Sequence, residues 1–268
     1  MPELAPALLA GYFALGLATG FVAGLLGVGG GLIIVPVLIV LLHAQGLAAG
    51  MEPQLALGTS LAVIVFTSLS SVRAHHRHGA VEWTVVRRIT LGVLAGTFVG
   101  ALLASRVPAT VLKVFFVAFL FYAAIQMWLD FRPAPHRAMP GRAGTTLAGS
   151  VIGLVSSWVG IGGGTLSVPF MLFHNIPLHR AIGTSAAIGF PIALAGAAGY
   201  VVGGRHTAGL PTGSLGFVYL PALAGIVAGS VLTAPLGAWT SHRLPVRRLK
   251  RIFALLLLVL AIRMLWTF

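Results

Sequence analysis

Two short motifs that each occur twice in this chain contain residue types suited to holding a small anion. The first reads GVGGGLIIVP over residues 27–36 and GIGGGTLSVP over residues 160–169. Consecutive glycines carry no side chains, so their backbone N–H groups can approach a ligand closely, and the start of the following helix adds a partial positive charge. Close packing of helices also favours small residues and is the alternative explanation. The residues predicted to bind an anion through their backbone are Gly29, Gly30, Gly31, Gly162, Gly163 and Gly164.

The second repeated motif supplies hydroxyl groups. Residues 57–62 read LGTSLA, and residues 182–187 read IGTSAA. Hydroxyls can donate hydrogen bonds to an oxyanion without adding a fixed charge to the site. The alternative is that each hydroxyl bonds back to a carbonyl one turn earlier in its own helix. The residues predicted to complete the anion site are Thr59, Ser60, Thr184 and Ser185.

The composition indicates the environment in which these motifs lie. Hydrophobic residues make up 58% of the chain and charged residues 8%, and the mean hydropathy is +1.01, which is typical of an integral membrane protein. The apolar runs lack the alternation of a membrane β-barrel, so we predict an all-α fold. The predicted helices cover residues 4–27, 31–46, 54–74, 83–104, 110–129, 143–159, 164–176, 180–203, 213–236 and 247–267.

The helices that follow the triple glycines are predicted to be short. A hydrocarbon core about 30 Å thick needs about 20 helical residues, which is more than either of these two segments contains. Pro36 and Pro169 weaken the same two helices. In lipid, such a break is tolerated only where the segment is buried in protein or lines a wet cavity, so the glycine turns are expected in one of these two places.

The chain is an internal duplication, because a third pair of segments, residues 106–127 and 243–264, follows in the same order. Five helices in each half place the second copy on the opposite side of the membrane from the first, which predicts inverted repeats. We assign residues 1–130 to the first transmembrane repeat, 131–142 to a basic cytoplasmic linker and 143–268 to the second repeat.

Positive charge is distributed unevenly between the two predicted sides. Most of the 17 lysines and arginines fall on one side, which the positive-inside rule makes cytoplasmic, so both termini are predicted outside. This pattern accounts for the net charge of +13 without nucleic acid, and the arginine clusters could also bind anionic lipid headgroups. One arginine–histidine pair follows the predicted third helix of each half. These pairs could attract an anion to each mouth of a pathway, although loop residues at a helix end are an equal explanation. These mouth residues are Arg77, His78, Arg205 and His206.

The residues that the chain lacks exclude several kinds of chemistry. It has no cysteine, and its four acidic residues all lie in predicted loops or helix ends. A hydrolase with paired carboxylates, or a proton or sodium relay in mid-membrane, is therefore not expected. His75, His76 and His78 lie in one predicted loop without a nearby carboxylate, so we predict no metal site, no cofactor and no enzymatic activity. The expected substrate is an anion or a neutral solute.

Taken together, the paired glycine motifs, each followed by a GTS motif, resemble the TauE/SafE-type sulfite exporter family over nearly the whole chain. The resemblance implies a prokaryotic cytoplasmic-membrane carrier for sulfur-containing anions such as sulfite, thiosulfate or an organosulfonate. It also implies that the glycine turns and the GTS hydroxyls flank the pathway. We expect alternating access between the repeats. An anion channel and a permease for a different small organic anion are the alternatives, and the sequence leaves the oligomeric state open.

Overall fold

The computed structural model describes residues 6–26, 30–129, 138–241 and 246–266. Within these ranges the protein is an all-α membrane protein, as predicted. The ten helices are α1 (Pro6–Leu26), α2 (Gly31–Ala44), α3 (Glu52–Arg77), α4 (Trp83–Ala104), α5 (Ala109–Leu129), α6 (Arg142–Val159), α7 (Gly164–Phe173), α8 (Leu178–Gly204), α9 (Leu220–Ser241) and α10 (Val246–Leu265).

The ten predicted helical segments correspond one to one with these helices, and only the ninth begins well away from its expected position. It starts at Leu220 because a short β-hairpin precedes it, formed by β1 (Ser214–Leu215) and β2 (Val218–Tyr219). Gly213 and Gly216 have φ angles of 85° and 55°, which side chains rarely adopt. The chain therefore turns sharply before α9, where a continuous helix was expected.

Six of the described helices are long and apolar enough to cross a membrane, namely α1, α3, α4, α5, α8 and α9. The helices α2 and α7 are apolar but have only 14 and 10 residues, so they are even shorter than the sequence predicted. Large apolar side chains such as Leu91 and Leu147 are 72% and 68% exposed. In a membrane, such side chains would meet lipid.

The helices are packed in pairs through small residues. The helix α1 lies on α9, with Gly16 against Ile226, Gly20 against Ser230 and Gly24 against Ala234. The positions rise together, so the two helices run in the same direction. The helices α4 and α6 pack in the same manner, also through glycine. Close packing therefore explains the glycines at these contacts in α1, α4 and α9. This is the alternative that was given for small residues.

Two long helices occupy the centre of the protein. Among the six candidate spans, α3 and α8 are the most buried. They cross in opposite directions, because Gly58 lies beside Tyr200 whereas Ser68 lies beside Gly189. The two GTS motifs therefore belong to antiparallel neighbours at the core.

We expect Gly20→Ala to lower the free energy of unfolding by about 1–3 kcal/mol, because a methyl group there would overlap the backbone of Ser230. Gly11→Ala is the matched control on the same helix, since nothing lies within 4 Å of the added carbon. The apparent melting temperatures of both purified variants would be compared with that of the wild type. Equal melting temperatures for the two variants would contradict this account of the α1–α9 contact.

Candidate functional site

Two glycine turns precede the short helices and have the same geometry. Gly30 and Gly163, which occupy corresponding positions in the first motif, have φ angles of 74° and 78°. In this left-handed region a side chain would be strained. The carbonyl of Gly30 accepts hydrogen bonds from Ile33 and Ile34, and that of Gly163 accepts them from Leu166 and Ser167. Each glycine thus begins its helix.

The start of each short helix offers backbone donors. Neither α2 nor α7 has a side-chain cap at its first residue. The first N–H groups of an α-helix have no acceptor inside the helix, and they give its start a partial positive charge. In α2 these groups belong to Gly31 and Leu32, and in α7 to Gly164 and Thr165. The predicted ligand Gly29 lies outside the described residues.

The two turns meet each other. A side chain at Gly31 would overlap the carbonyl oxygen of Gly160, the residue that ends α6. The same carbonyl accepts a hydrogen bond of 2.8 Å from Ser60 Oγ. One contact therefore joins the first glycine motif, the second glycine motif and the first GTS motif. The sequence did not predict this contact.

The threonines of the two GTS motifs make corresponding contacts. Thr59 Oγ1 accepts a hydrogen bond of 2.9 Å from the backbone N–H of Tyr219, at the entrance to α9. Thr184 Oγ1 accepts one of 2.9 Å from the N–H of Glu82, at the entrance to α4. Thr59 also donates to the carbonyl of Leu55 one turn earlier. Such a bond within the hydroxyl's own helix is the stated alternative to anion binding. Each threonine thus joins a central helix to the fourth helix of the other half.

The GTS serines are also engaged by the protein. Ser60 and Ser185 are fully buried, and Ser185 Oγ accepts a hydrogen bond of 3.0 Å from Ser167 Oγ of α7. In this conformation, therefore, Ser60 binds the second glycine turn and Ser185 binds the short helix α7.

A small central cavity lies beside the second glycine turn. Its volume is about 10 Å³, which is close to the minimum for one water molecule. Ser71 Oγ has no hydrogen-bond partner among the described residues. The lining residues are Ala23, Ile64, Thr67, Ser68, Ser71, Gly162, Ala186 and Gly189.

A lateral cavity of about 50 Å³ lies along the other side of α7 and includes Gly164 and Pro169. Thr165 lines it, is buried, and has an Oγ1 atom without a hydrogen-bond partner in the described part of the chain. Gln126 and Lys250 contribute polar groups to the wall. Sequence reasoning missed Thr165, although it directly follows the triple glycine, where the first copy has Leu32.

The predicted mouth residues lie at opposite ends of the central pair. Arg77 is the last residue of α3 and His78 follows it, and Arg205 and His206 follow the end of α8; all four residues are exposed. Pro36 and Pro169 lie inside α2 and α7, where each removes one backbone donor from a short helix.

Charged groups lie mainly at helix ends. Glu52 contacts His43 at 3.4 Å, and Glu82 pairs with Arg180. Burial, and secondarily the neighbouring Tyr12, raise the pKa of Tyr219, so this phenol is neutral at physiological pH. No group of three or more histidine or acidic residues in the described ranges could hold a metal ion.

A basic groove of about 440 Å³ lies between α4 and α6. Arg87, Arg88 and Arg142 line it together with two hydroxyls, and these arginines make no ion pair with a described carboxylate. Leu91 lines the same groove and exposes an apolar surface one turn from the arginines.

Comparison with known proteins gives one consistent family. The family model "Sulfite exporter TauE/SafE" matches residues 12–264. A probable membrane transporter protein of Haemophilus influenzae is 37% identical over 93% of this chain and 95% of its own length. The probable membrane transporter protein YunE of Bacillus subtilis is 28% identical over 94% of this chain and 95% of its own. No solved structure matches the chain.

We expect Thr184→Val to lower the free energy of unfolding by about 1–3 kcal/mol, because the N–H of Glu82 loses its acceptor within the protein. Thr184→Ser keeps the hydroxyl and is the control, with a much smaller loss. The apparent melting temperature of each variant in detergent is the measurement. Similar values for the valine and serine variants would show that this hydrogen bond does not stabilise the fold.

Proposed function

Because the chain belongs to the TauE/SafE sulfite exporter family and its relatives are named as probable membrane transporters, we propose that it carries a small sulfur-containing anion across the cell membrane. Sulfite, thiosulfate and organosulfonates are the candidate substrates. The protein is a membrane transporter of this family, and its substrate and its mechanism are the proposed parts.

The observation that carries the proposal is the meeting of two glycine turns at helix starts that have no side-chain cap. Such starts bind anions through oriented N–H groups and a partial positive charge, without a lysine or arginine. In this conformation Thr19, Gly160 and Ile192 fill the space beside Gly30, Gly31 and Gly163, so an oxyanion would approach the backbone only after the turns separate. The proposed backbone ligands are Gly29, Gly30, Gly31, Gly162, Gly163 and Gly164.

The GTS serines would change partners when the anion binds. A hydroxyl has a single hydrogen, and Ser60 donates it to the carbonyl of Gly160. For Ser60 to donate to an anion, this bond must break, which would release the second turn. Ser185 accepts its hydrogen bond from Ser167 Oγ, and in our proposal it keeps this bond and directs its own hydrogen to the anion. In our proposal, the hydroxyls of Thr59 and Thr184 complete the shell of the anion. In the present conformation they accept hydrogen bonds from Tyr219 and Glu82.

We propose alternating access between two inverted repeats, 1–130 and 143–268. The packing supports this arrangement, because the pair α1–α9 corresponds to the pair α6–α4 and the central helices α3 and α8 are antiparallel. With the arginine-rich side in the cytoplasm and both termini outside, the membrane potential would favour export by about 2.3 kcal/mol per negative charge per 100 mV. Arg77, His78, Arg205 and His206 are the proposed mouth residues.

An anion channel is the second candidate function. A channel needs a continuous aqueous path when it is open, whereas the central cavity beside the turns has room for about one water molecule. A channel in its closed state would have the same narrow centre, so saturation and counterflow of the flux separate the two functions. A permease for a different small organic anion would use the same site.

The test is uptake of labelled anions into proteoliposomes, with sulfite, thiosulfate, sulfate, taurine, sulfoacetate and a carboxylate control, with and without an imposed potential. We expect saturable, voltage-responsive movement of one sulfur anion. Movement that does not saturate and shows no counterflow would favour the channel. If folded protein moved none of the sulfur anions, the proposal would be wrong.

The double variant Ser60→Ala, Ser185→Ala tests the site in the same assay. We expect transport to fall at least about tenfold, because hydrogen bonds to a charged partner are worth about 1.5–3 kcal/mol each. Thr240→Ala is the control, since that hydroxyl is exposed and bonds only to its own helix at Leu236. Unchanged flux in the double variant would remove these serines from the anion site.

We further propose that the basic groove binds the headgroup of an anionic lipid. Arg87, Arg88 and Arg142 would contact the phosphate, and the exposed Leu91 would contact an acyl chain. Juxtamembrane arginines contribute about 1 kcal/mol each to binding of anionic lipid.

Arg87→Gln with Arg88→Gln should therefore reduce the stabilisation that phosphatidylglycerol gives to the purified protein over phosphatidylcholine. The readout is the difference in melting temperature between the two lipids. Arg106→Gln with Lys113→Gln removes the same charge outside the groove and is the control. Free phosphate in place of lipid should give little stabilisation. Equal loss in both double variants would indicate an effect of net charge and contradict a specific groove.

A further inference from the structure

One face of α3 carries polar side chains through the middle of the protein. Ser60, Thr67, Ser68, Ser71 and His75 recur at spacings that keep them on one side of an α-helix. None is more than 5% exposed. Polar groups are costly to bury in a membrane protein unless they are hydrogen-bonded or meet water. Ser60, Thr67 and Ser68 donate hydrogen bonds to backbone carbonyls and His75 contacts one, whereas Ser71 Oγ has no partner among the described residues.

The face is continuous with the central cavity. Thr67, Ser68 and Ser71 line that cavity together with Gly162 of the second turn. Thr67 Oγ1 lies 3.1 Å from Ser230 Oγ of α9, so a further hydroxyl joins the face. Ser71 Oγ has no partner in the described residues and lies at the cavity.

The end of this face lies near the arginine-rich end of the bundle. His75 Nε2 lies 3.2 Å from the carbonyl oxygen of Gly24, near the end of α1. Arg73 and Arg77 belong to the same last turns of α3 and line a groove on its outer side. A positive potential at this end would concentrate anions next to the polar face.

The corresponding face of α8 has a different character. When the two GTS motifs are aligned, Ser60 corresponds to Ser185, whereas Thr67, Ser68, Ser71 and His75 correspond to Ile192, Ala193, Gly196 and Tyr200. Beyond Ser185 these α8 residues are apolar or lack a side chain, except Tyr200, whose hydroxyl donates to the carbonyl of Ser157 at 3.0 Å. Buried hydroxyls near this face come from other helices, since Thr97 of α4 lies against Gly196 and Ser156 belongs to α6.

We infer that the anion pathway is built asymmetrically: the α3 face from Ser60 to His75 conducts the oxyanion between the glycine turns and the arginine-rich end, and the α8 face forms an apolar seal toward the other end. Hydroxyl donors replace part of the water that an oxyanion loses on the α3 side. The apolar α8 face has no hydroxyl donors to replace this water, so it limits leakage of the anion. This inference rests on the proposed transport function and adds the side from which the site is loaded.

The test uses the absence of cysteine from the chain, because a single introduced thiol is then the only one. Ser68→Cys and Ala193→Cys form a matched pair at corresponding positions, and Ser71→Cys gives a second reading on α3. Each variant would be treated in inside-out and right-side-out membrane vesicles with a small, membrane-impermeant thiol reagent that carries a sulfonate. Wild-type anion flux is measured in parallel in proteoliposomes.

We expect both α3 thiols to react from the arginine-rich side and to be protected by the transported anion. The thiol at residue 193 should react about tenfold or more slowly from either side, because an apolar environment suppresses the reactive thiolate. If residue 193 reacted as quickly from the opposite side, both halves would be wet and the asymmetry would be wrong. Unreactive α3 thiols in a transporting protein would also overturn it. Absence of wild-type flux of any sulfur anion would instead overturn the proposed function.

Discussion

The carbonyl group of Gly160 occupies a position on which the surrounding structure depends. It ends α6 in the interior of a membrane protein, where an unpaired carbonyl is costly. Ser60 provides the donor, and Gly31 leaves the space that lets the first turn lie against the same oxygen. Three segments that are far apart in the chain are therefore held at one point. The short helices α2 and α7 begin beside this carbonyl, so its position fixes theirs.

The packing of the helices connects both halves of the chain to this contact. The largest contacts join α1 to α9, α4 to α6 and α3 to α8, so they connect one half with the other. The GTS threonines extend the pattern, since each accepts a hydrogen bond from the entrance to a helix of the opposite half. A change at one turn can therefore reach both halves through packed backbone, without a long chain of side chains. Such coupling is what a carrier with a central site requires.

The helices could be predicted from the sequence because their apolar runs are long and their breakers are strong. The hairpin of residues 214–219 escaped prediction, since its apolar residues read as the start of α9 and two glycine angles decide the turn. The glycine and GTS motifs could be recognised from the sequence because each of them occurs twice. The partners of Ser60, Thr59 and Thr184 were not, because each lies 100 or more residues away in the sequence. Local pattern carries no information on which buried carbonyl or N–H a hydroxyl will meet.

The interleaving of the halves also bears on how the protein is made. Gly58 and Thr59 find their partners at Phe217 and Tyr219, which emerge from the ribosome only after most of the chain has entered the membrane. Until then the start of α3 keeps a surface without its native partner, and the first half cannot reach its final packing alone. Folding dominated by such distant pairings is slow and passes through partly assembled states. We therefore expect α1, α3 and α4 to keep uncovered packing surfaces until α8 and α9 have been inserted.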